Sequence, residues 1–462
     1  MSSTLSTPPG YAPFDLDSLR RWLAGKPELA ARLGGDPEGW RVDEVGDGNL
    51  NLVFLARGPA GGLCIKQSLP YVRVAGESWP LPLERAWFEQ RHLADTGPVV
   101  AGLAPRLIAY DPVLYAVVME LLPHHKIMRL ALADGERHDH ASIKVAEYAA
   151  RATFATSVLA RPFEAVADLQ AVYARNQALT RISVDLIFTH PYIEHERNRW
   201  TSPQLDDLVA DLRGDIPLKR AAARLGHAFL TRHEALLHGD LHSGSVMVAR
   251  RDGSGVARRD GSGAAPLDGP GATPDDARVI DPEFALYGPI GFDLGAYVAN
   301  LLMAYFSQPG HEQRLGDRAD HAEWILSQVG VFWRHFAARF DALWSERSAT
   351  ATGQAAGQAS GQAPDAYPAA LFAGAAGRAA LADERRVFLD GVYTDLVGYA
   401  GIEIIRRTIG FAHNLDFERI ADPERRAACE RRTLRLARRL MVDPQAFADI
   451  TSIEQAAREL AS

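Results

Sequence analysis

Two patterns predict an α+β chain with a small β-rich N-terminal lobe and a larger, mainly helical C-terminal lobe. Short apolar runs broken by Gly-rich turns fill the stretch up to Glu120, and helical periodicity fills most of the chain beyond it. One return to strand character, from about Leu236 to Phe284, interrupts the helical part. The division is placed at 1–119 and 120–462, with a hinge at 120–123.

In chain order, residues 16–35 read as one helix. Asp17 or Ser18 caps its start, Leu19, Trp22 and Leu23 recur at helical spacing, and Gly34-Gly35 ends it. Residues 40–45, 52–56 and 63–67 read as strands, 83–94 as a helix, and 106–110 and 115–120 as two further strands. Two segments lack the composition to bury a core and are expected to be flexible insertions. Residues 249–277 contain ARRDGSG twice, and 348–368 contain GQAAGQASGQA.

Lys and Arg number 50 against 58 Asp and Glu, a formal net charge of -8. That balance leaves no basic footprint for nucleic acid or an anionic membrane. Cys64 and Cys429 are too few for a disulfide framework. The Ser/Thr/Pro-rich start has no apolar core of the signal-peptide kind. No uncharged apolar run reaches the ~20 residues that span a bilayer; the nearest, 292–306, contains Asp293 and Asn300. A cytoplasmic protein without nucleic-acid or membrane partners is expected.

The segment with most chemistry is His238-Gly-Asp240-Leu-His-Ser-Gly-Ser245, set between a helix expected to end near Leu237 and a strand at 246–249. An Asp in a tight turn can accept a proton from an attacking hydroxyl, and phosphoryl transfer asks for little beyond positioning and charge stabilisation. The plain alternative is a polar turn with Asp240 as a cap. Ser245 stands five residues after Asp240, where kinases carry a metal-binding Asn. Asp281-Pro-Glu283 follows a strand and offers two carboxylates to one site, which suits magnesium. Asp293, in GPIGFDLG, is expected to support the Asp240 loop together with His238, to cap a helix, or to do both.

In the N-terminal lobe, Gly46-Asp-Gly48-Asn49-Leu-Asn51 lies between strands. Its free amides can meet phosphates, although a hairpin turn explains it as well. Lys66 ends the strand LCIK, as lysine does in the kinase V-A-I-K pattern. Glu89 is its expected acidic partner, with Glu84 second. Arg406 and Arg407 stand three and four residues after Glu403, which can pair with either; the functional alternative is a cationic clamp on a transferring phosphoryl group.

The order of these features resembles the 5-methylthioribose kinase family, within the larger group of aminoglycoside phosphotransferases and choline kinases. The resemblance rests on GDGNLNLVF (46–54), KQSLPYVRVAGESWPL (66–81), HGDLHSGS (238–245), DPEFALYGPIGFDLG (281–295) and IRRTIG (405–410). It implies a bilobal protein-kinase-like fold, a homodimer, and Mg2+-dependent transfer of the ATP γ-phosphate to the anomeric hydroxyl of 5-methylthioribose. The product would be 5-methylthioribose 1-phosphate, in methionine salvage. It also implies ATP contacts from Asn51 and Lys66 and an adenine hinge at Glu120, Leu121 and Leu122. Asp240 would be the base, Asp281 and Glu283 the magnesium ligands, and Arg406 and Arg407 the substrate contacts, Arg407 foremost. Leu121 departs from the acid usual in the family, and the 249–277 insertion has no counterpart in that pattern. Two rivals stay open. A related kinase for an amine-rich acceptor is disfavoured by the twin arginines. A non-catalytic nucleotide-binding module is disfavoured by the intact Asp240, Asp281 and Glu283.

Overall fold

Asp15 starts the first helix, upstream of the expected Asp17 or Ser18: its carboxylate accepts the Ser18 N–H at 2.7 Å. The expected single helix is two, α1 (Leu16–Ala24) and α2 (Pro27–Leu33). Pro27 has no N–H to continue the first helix and pushes Lys26 into extended backbone, at ψ 96°. The computed structural model describes all residues except 1–6, 47–49, 74–75, 250–274, 355–364, 413 and 462. The expectations for Gly48 and Asn49, and for most of the 249–277 insertion, lie outside the described residues.

Strands β1 (Arg41–Val45), β2 (Asn51–Gly58) and β3 (Gly61–Ser68) form an antiparallel meander. A short hairpin, β4 (Tyr71–Val72) and β5 (Gly76–Pro80), precedes helix α3 (Arg85–Thr96). Strands β6 (Leu107–Asp111) and β7 (Ala116–Glu120) complete a sheet ordered β1-β2-β3-β7-β6. Alternation along β3 sends Leu63 and Ile65 to one face, where they join Leu19, Leu23, Leu29, Leu33, Trp40 and Phe54. Cys64 packs on the other side with Val117, Met119 and the α3 residues Ala86 and Leu93. Lys66, two residues on from Cys64, shares that side and so faces α3.

Strand β8 (His125–Ile127) and helix α4 (Met128–Asp134) open the helical lobe, followed by α5 (Ala141–Thr156), α6 (Phe163–Tyr173) and α7 (Gln177–Ser183). Helices α8 (Asp206–Gly214) and α9 (Ile216–Thr231) come next. The chain was expected to stay helical to Leu237. It leaves the helix at Thr231, because Ala235–Leu237 forms a strand, β9, paired with β12 (Leu286–Gly288). Between them β10 (Val246–Ala249) pairs with β11 (Ala277–Val279) on one side and β8 on the other.

Helix α10 (Gly291–His311) is buried almost all round, as a helix apolar on every face must be. It is a core helix; no helix among the described residues is long and apolar enough to cross a membrane. Helix α11 (Ala319–Gln354) carries the chain to residue 354, so 348–354 is helical where a loop was expected. Ala sustains a helix without apolar neighbours, and Ala349 and Ala351 lie in this stretch. Helix α12 (Gly374–Ile409) lies close against α10. A Cβ on Gly291 would stand 2.8 Å from the Leu396 amide nitrogen, and one on Gly295 2.7 Å from that of Ala400. Helices α13 (Leu415–Glu418), α14 (Pro423–Val442) and α15 (Ile450–Ala461) finish the lobe.

Candidate active site

The N-terminal strands and the β11–β12 connection meet around Lys66. Its ammonium lies 3.0 Å from Glu89, 3.0 Å from Asp281 and 3.7 Å from Glu283. Burial works against the lysine charge, but Asp281, Glu283 and Glu89 outweigh it and hold its pKa well above the ordinary value. Burial pushes the Glu89 carboxyl up, with Lys66 opposing. Asp281 sits in the left-handed region at φ 65°, ψ 48°, which Asp tolerates at some cost. Its side chain is 45% exposed, whereas that of Glu283 is 7% exposed. Asn51 donates from Nδ2 to Glu283 at 2.6 Å and accepts from Arg85 Nε at 2.9 Å. Its amide is thus engaged at both ends, behind Glu283. Gly46 is an exposed turn residue at the end of β1.

Three carboxylates and an ammonium therefore meet at one point, and the loop holding Asp240 lies next to it. Ile280 N–H donates to the Ser245 carbonyl at 2.9 Å, and His238 Nε2 lies 2.8 Å from the Ile280 carbonyl. The loop turns at Gly239, at φ 84°, where a Cβ would meet the Phe284 carbonyl oxygen at 2.2 Å; only glycine fits. Asp293 is not the N-cap of α10. Its carboxylate accepts the N–H groups of His238 at 2.7 Å and Gly239 at 3.0 Å, and burial pushes its pKa up to about 6. Ser245 donates its hydroxyl proton to the Asp240 carbonyl at 3.0 Å.

Asp240 itself is a quarter exposed. Its Oδ1 accepts from Arg406 at 2.8 Å and Arg407 at 3.2 Å. Its Oδ2 lies 3.1 Å from His242 Nε2. Burial opposes ionisation, but His242, Arg406 and Arg407 together hold the carboxyl well below the usual range. Glu403 binds both arginines, Arg406 at 2.9 Å. The local helical pairing and the approach to Asp240 thus occur together.

A model of the phosphotransferase enzyme family matches residues 41–257. The methylthioribose kinase of Escherichia coli is 38% identical over 98% of this chain and 99% of its own length. Methylthioribose kinase 1 of Oryza sativa is 35% identical over 96% of this chain and 94% of its own. That of Yersinia enterocolitica is 40% identical over 87% of this chain and 88% of its own. The chain belongs to the methylthioribose kinase family.

Several residues that frame the cleft of this methylthioribose kinase family member carry no local sequence signal. Arg85 and Arg129 look like surface arginines in amphipathic helices, yet they are 2% and 8% exposed. Asn176 donates to the carbonyls of Glu283 and Ala285, both at 3.0 Å, and so pins the DPE turn. Asp416 is fully buried 3.8 Å from Arg129. Burial pushes its carboxyl up to about 6. Trp79 of β5 packs on Phe411, with ring centroids 5.3 Å apart, and Arg197 lies 3.8 Å over Trp79. Where a hinge was expected, Glu120 accepts the Arg106 N–H at 3.1 Å. A Cβ on Gly62 would meet the Leu121 side chain at 2.3 Å, so Leu121 lies directly against β3, and Leu122 is the next residue along.

Proposed function

We propose that this chain transfers the γ-phosphate of ATP to the anomeric hydroxyl of 5-methylthioribose, giving 5-methylthioribose 1-phosphate within methionine salvage. The observation that carries the reading is the arginine pair on Asp240 in a chain of this family. A carboxylate flanked by Arg406 and Arg407 suits a neutral sugar hydroxyl and an anionic phosphoryl group, and repels an acceptor rich in amines.

ATP lies between the lobes, split after residue 119, with adenine at Glu120, Leu121 and Leu122. Its phosphates lie under the loop from Gly46 through Gly48 and Asn49. Lys66, held by Glu89, binds the phosphates. Asp281 and Glu283 form an all-oxygen, two-carboxylate donor set that fits a hard divalent ion, and magnesium is our choice. Ser245, whose hydroxyl proton is engaged, contributes at most oxygen lone pairs toward a metal-bound water. Such an ion neutralises phosphate charge when bound. We assign Asn51 to holding Glu283 rather than to touching the nucleotide, because both ends of its amide are occupied.

Asp240 orients the sugar hydroxyl and takes its proton late. The sugar oxygen bonds to the γ-phosphorus as the bond to the β,γ-bridging oxygen breaks, and ADP leaves. Arg406 and Arg407 balance charge on the phosphoryl oxygens. Trp79 and Phe411, the latter four residues past Arg407, offer an apolar wall for the thioether. The same reading makes the protein a cytoplasmic homodimer.

The test is ADP release with Mg2+ and, in turn, 5-methylthioribose, ribose, choline and an aminoglycoside. Release with 5-methylthioribose alone supports the reading, and preference for another acceptor overturns the substrate. ATP binding without turnover of any acceptor overturns the activity.

A further inference from the structure

His242 lies behind Asp240, and the groups around its ring leave it one protonation pattern. Its Nδ1 faces two donors: the Gly244 N–H at 2.8 Å and Arg129 Nη2 at 3.1 Å. Neither can accept a proton, since guanidinium and backbone N–H groups only donate. Nδ1 therefore carries the lone pair. The ring proton sits on Nε2, which faces Asp240 Oδ2 at 3.1 Å.

The surroundings are built for this contact. Gly244 lies so close to the ring that a Cβ there would stand 2.6 Å from His242 Cε1 and 2.8 Å from Nδ1. Arg129 is oriented by Asn300 Oδ1 at 2.9 Å, by Ser243 Oγ at 3.2 Å and by the charge of Asp416 at 3.8 Å. Asn300 Oδ1 also lies 3.3 Å from the Ser243 hydroxyl, within the same small network.

We infer that His242 is a positioning residue: locked by Arg129 and Gly244 as a neutral Nε2–H donor, it fixes the Asp240 carboxylate through Oδ2, while the two arginines hold Oδ1. In this arrangement Oδ1 already accepts from both arginines, so the lone pair left for the acceptor hydroxyl is the second one of Oδ2. The histidine keeps the carboxylate from rotating as the hydroxyl binds. This inference rests on the kinase reading, and its test has an arm that does not.

Two substitutions separate the two nitrogens. His242→Asn keeps an acceptor near the Nδ1 position, for Gly244 and Arg129, but loses the reach to Asp240. His242→Gln places an amide donor near the Nε2 position, but loses the acceptor of the turn. We expect His242→Asn to lower kcat about 10–100-fold, the range typical of groups that orient a functional side chain, with KM for MgATP within about twofold of wild type. His242→Gln should keep a kcat about tenfold above that of the Asn variant, even where its Tm is lower. The reverse order would mean that the ring serves the turn alone, and would overturn the inference. The independent arm is the 15N spectrum of imidazole-labelled wild-type protein near neutral pH, with the His242 signals assigned by their loss in His242→Gln. A proton on Nε2 only is expected; a proton on Nδ1 overturns the inference. If wild type turns over no acceptor, the functional reading fails, and the spectrum still decides the lock on His242.

Discussion

At the scale of single residues, Asp240 shows how surroundings set a role. Two arginines and His242 keep it ionised; in the proposed reaction such a weak base would act by orientation and late proton acceptance. Asp240→Asn keeps the shape and loses the charge. We expect kcat to fall about 10²–10⁴-fold while KM for MgATP stays near wild type; wild-type turnover would remove Asp240 from the chemistry. Away from the cleft, burial pushes Glu430 up to about 7. Its folded pKa then exceeds its unfolded one, so the folded chain holds this proton more tightly. Stability falls as pH rises from about 4.5 to about 7. Glu430→Gln removes that slope. Thermal melts should show a gain of about 2–3 kcal/mol near pH 8 and little near pH 5; an equal gain at both would contradict the assigned cause.

At the scale of elements, the α10–α12 contact connects packing to chemistry. Asp293 near the start of α10 holds the Asp240 loop, and Arg406 and Arg407 near the end of α12 meet Asp240 itself. The helices approach closely because Gly295 has no side chain; a Cβ there would lie 2.6 Å from that of Tyr399. Gly295→Val must push them apart, at about 1–3 kcal/mol for overpacking. Differential scanning calorimetry should show a lower Tm, and steady-state kinetics a lower kcat with little change in KM for MgATP. A stable variant with wild-type kcat would separate this helix contact from the geometry at Asp240.

At the scale of the whole molecule, the cleft is closed by contacts from distant parts of the chain. Lys66 reaches Asp281, and Asn51 reaches Glu283. In the proposed reaction a nucleotide and metal bound there would join both lobes, so binding should stabilise the chain as a unit. At one hundred times Kd the gain is about 2.7 kcal/mol. Thermal shift with ATP and Mg2+ should exceed that with ATP and a chelator. Asp281→Asn should erase most of the difference; an unchanged difference would place the metal elsewhere.

The sequence by itself determined the class of fold, the order of the motifs and most of the charged residues in the cleft. Strand alternation, helix periodicity and the strings HGDLHSGS, DPEF and IRRTIG are local signals, set by neighbouring residues and backbone sterics. The misses at the ends of elements also have local causes: Asp15 took the cap from Asp17 and Ser18, and Pro27 split the first helix. The stop of α9 at Thr231 could not be read locally, because it depends on a strand partner some fifty residues later. Tertiary structure alone decided that Arg129 is buried behind His242, that Asn51 serves Glu283, and that both arginines converge on one oxygen of Asp240. Each of these joins residues far apart in the chain, where the cost of burying charge is met only by partners that folding brings together.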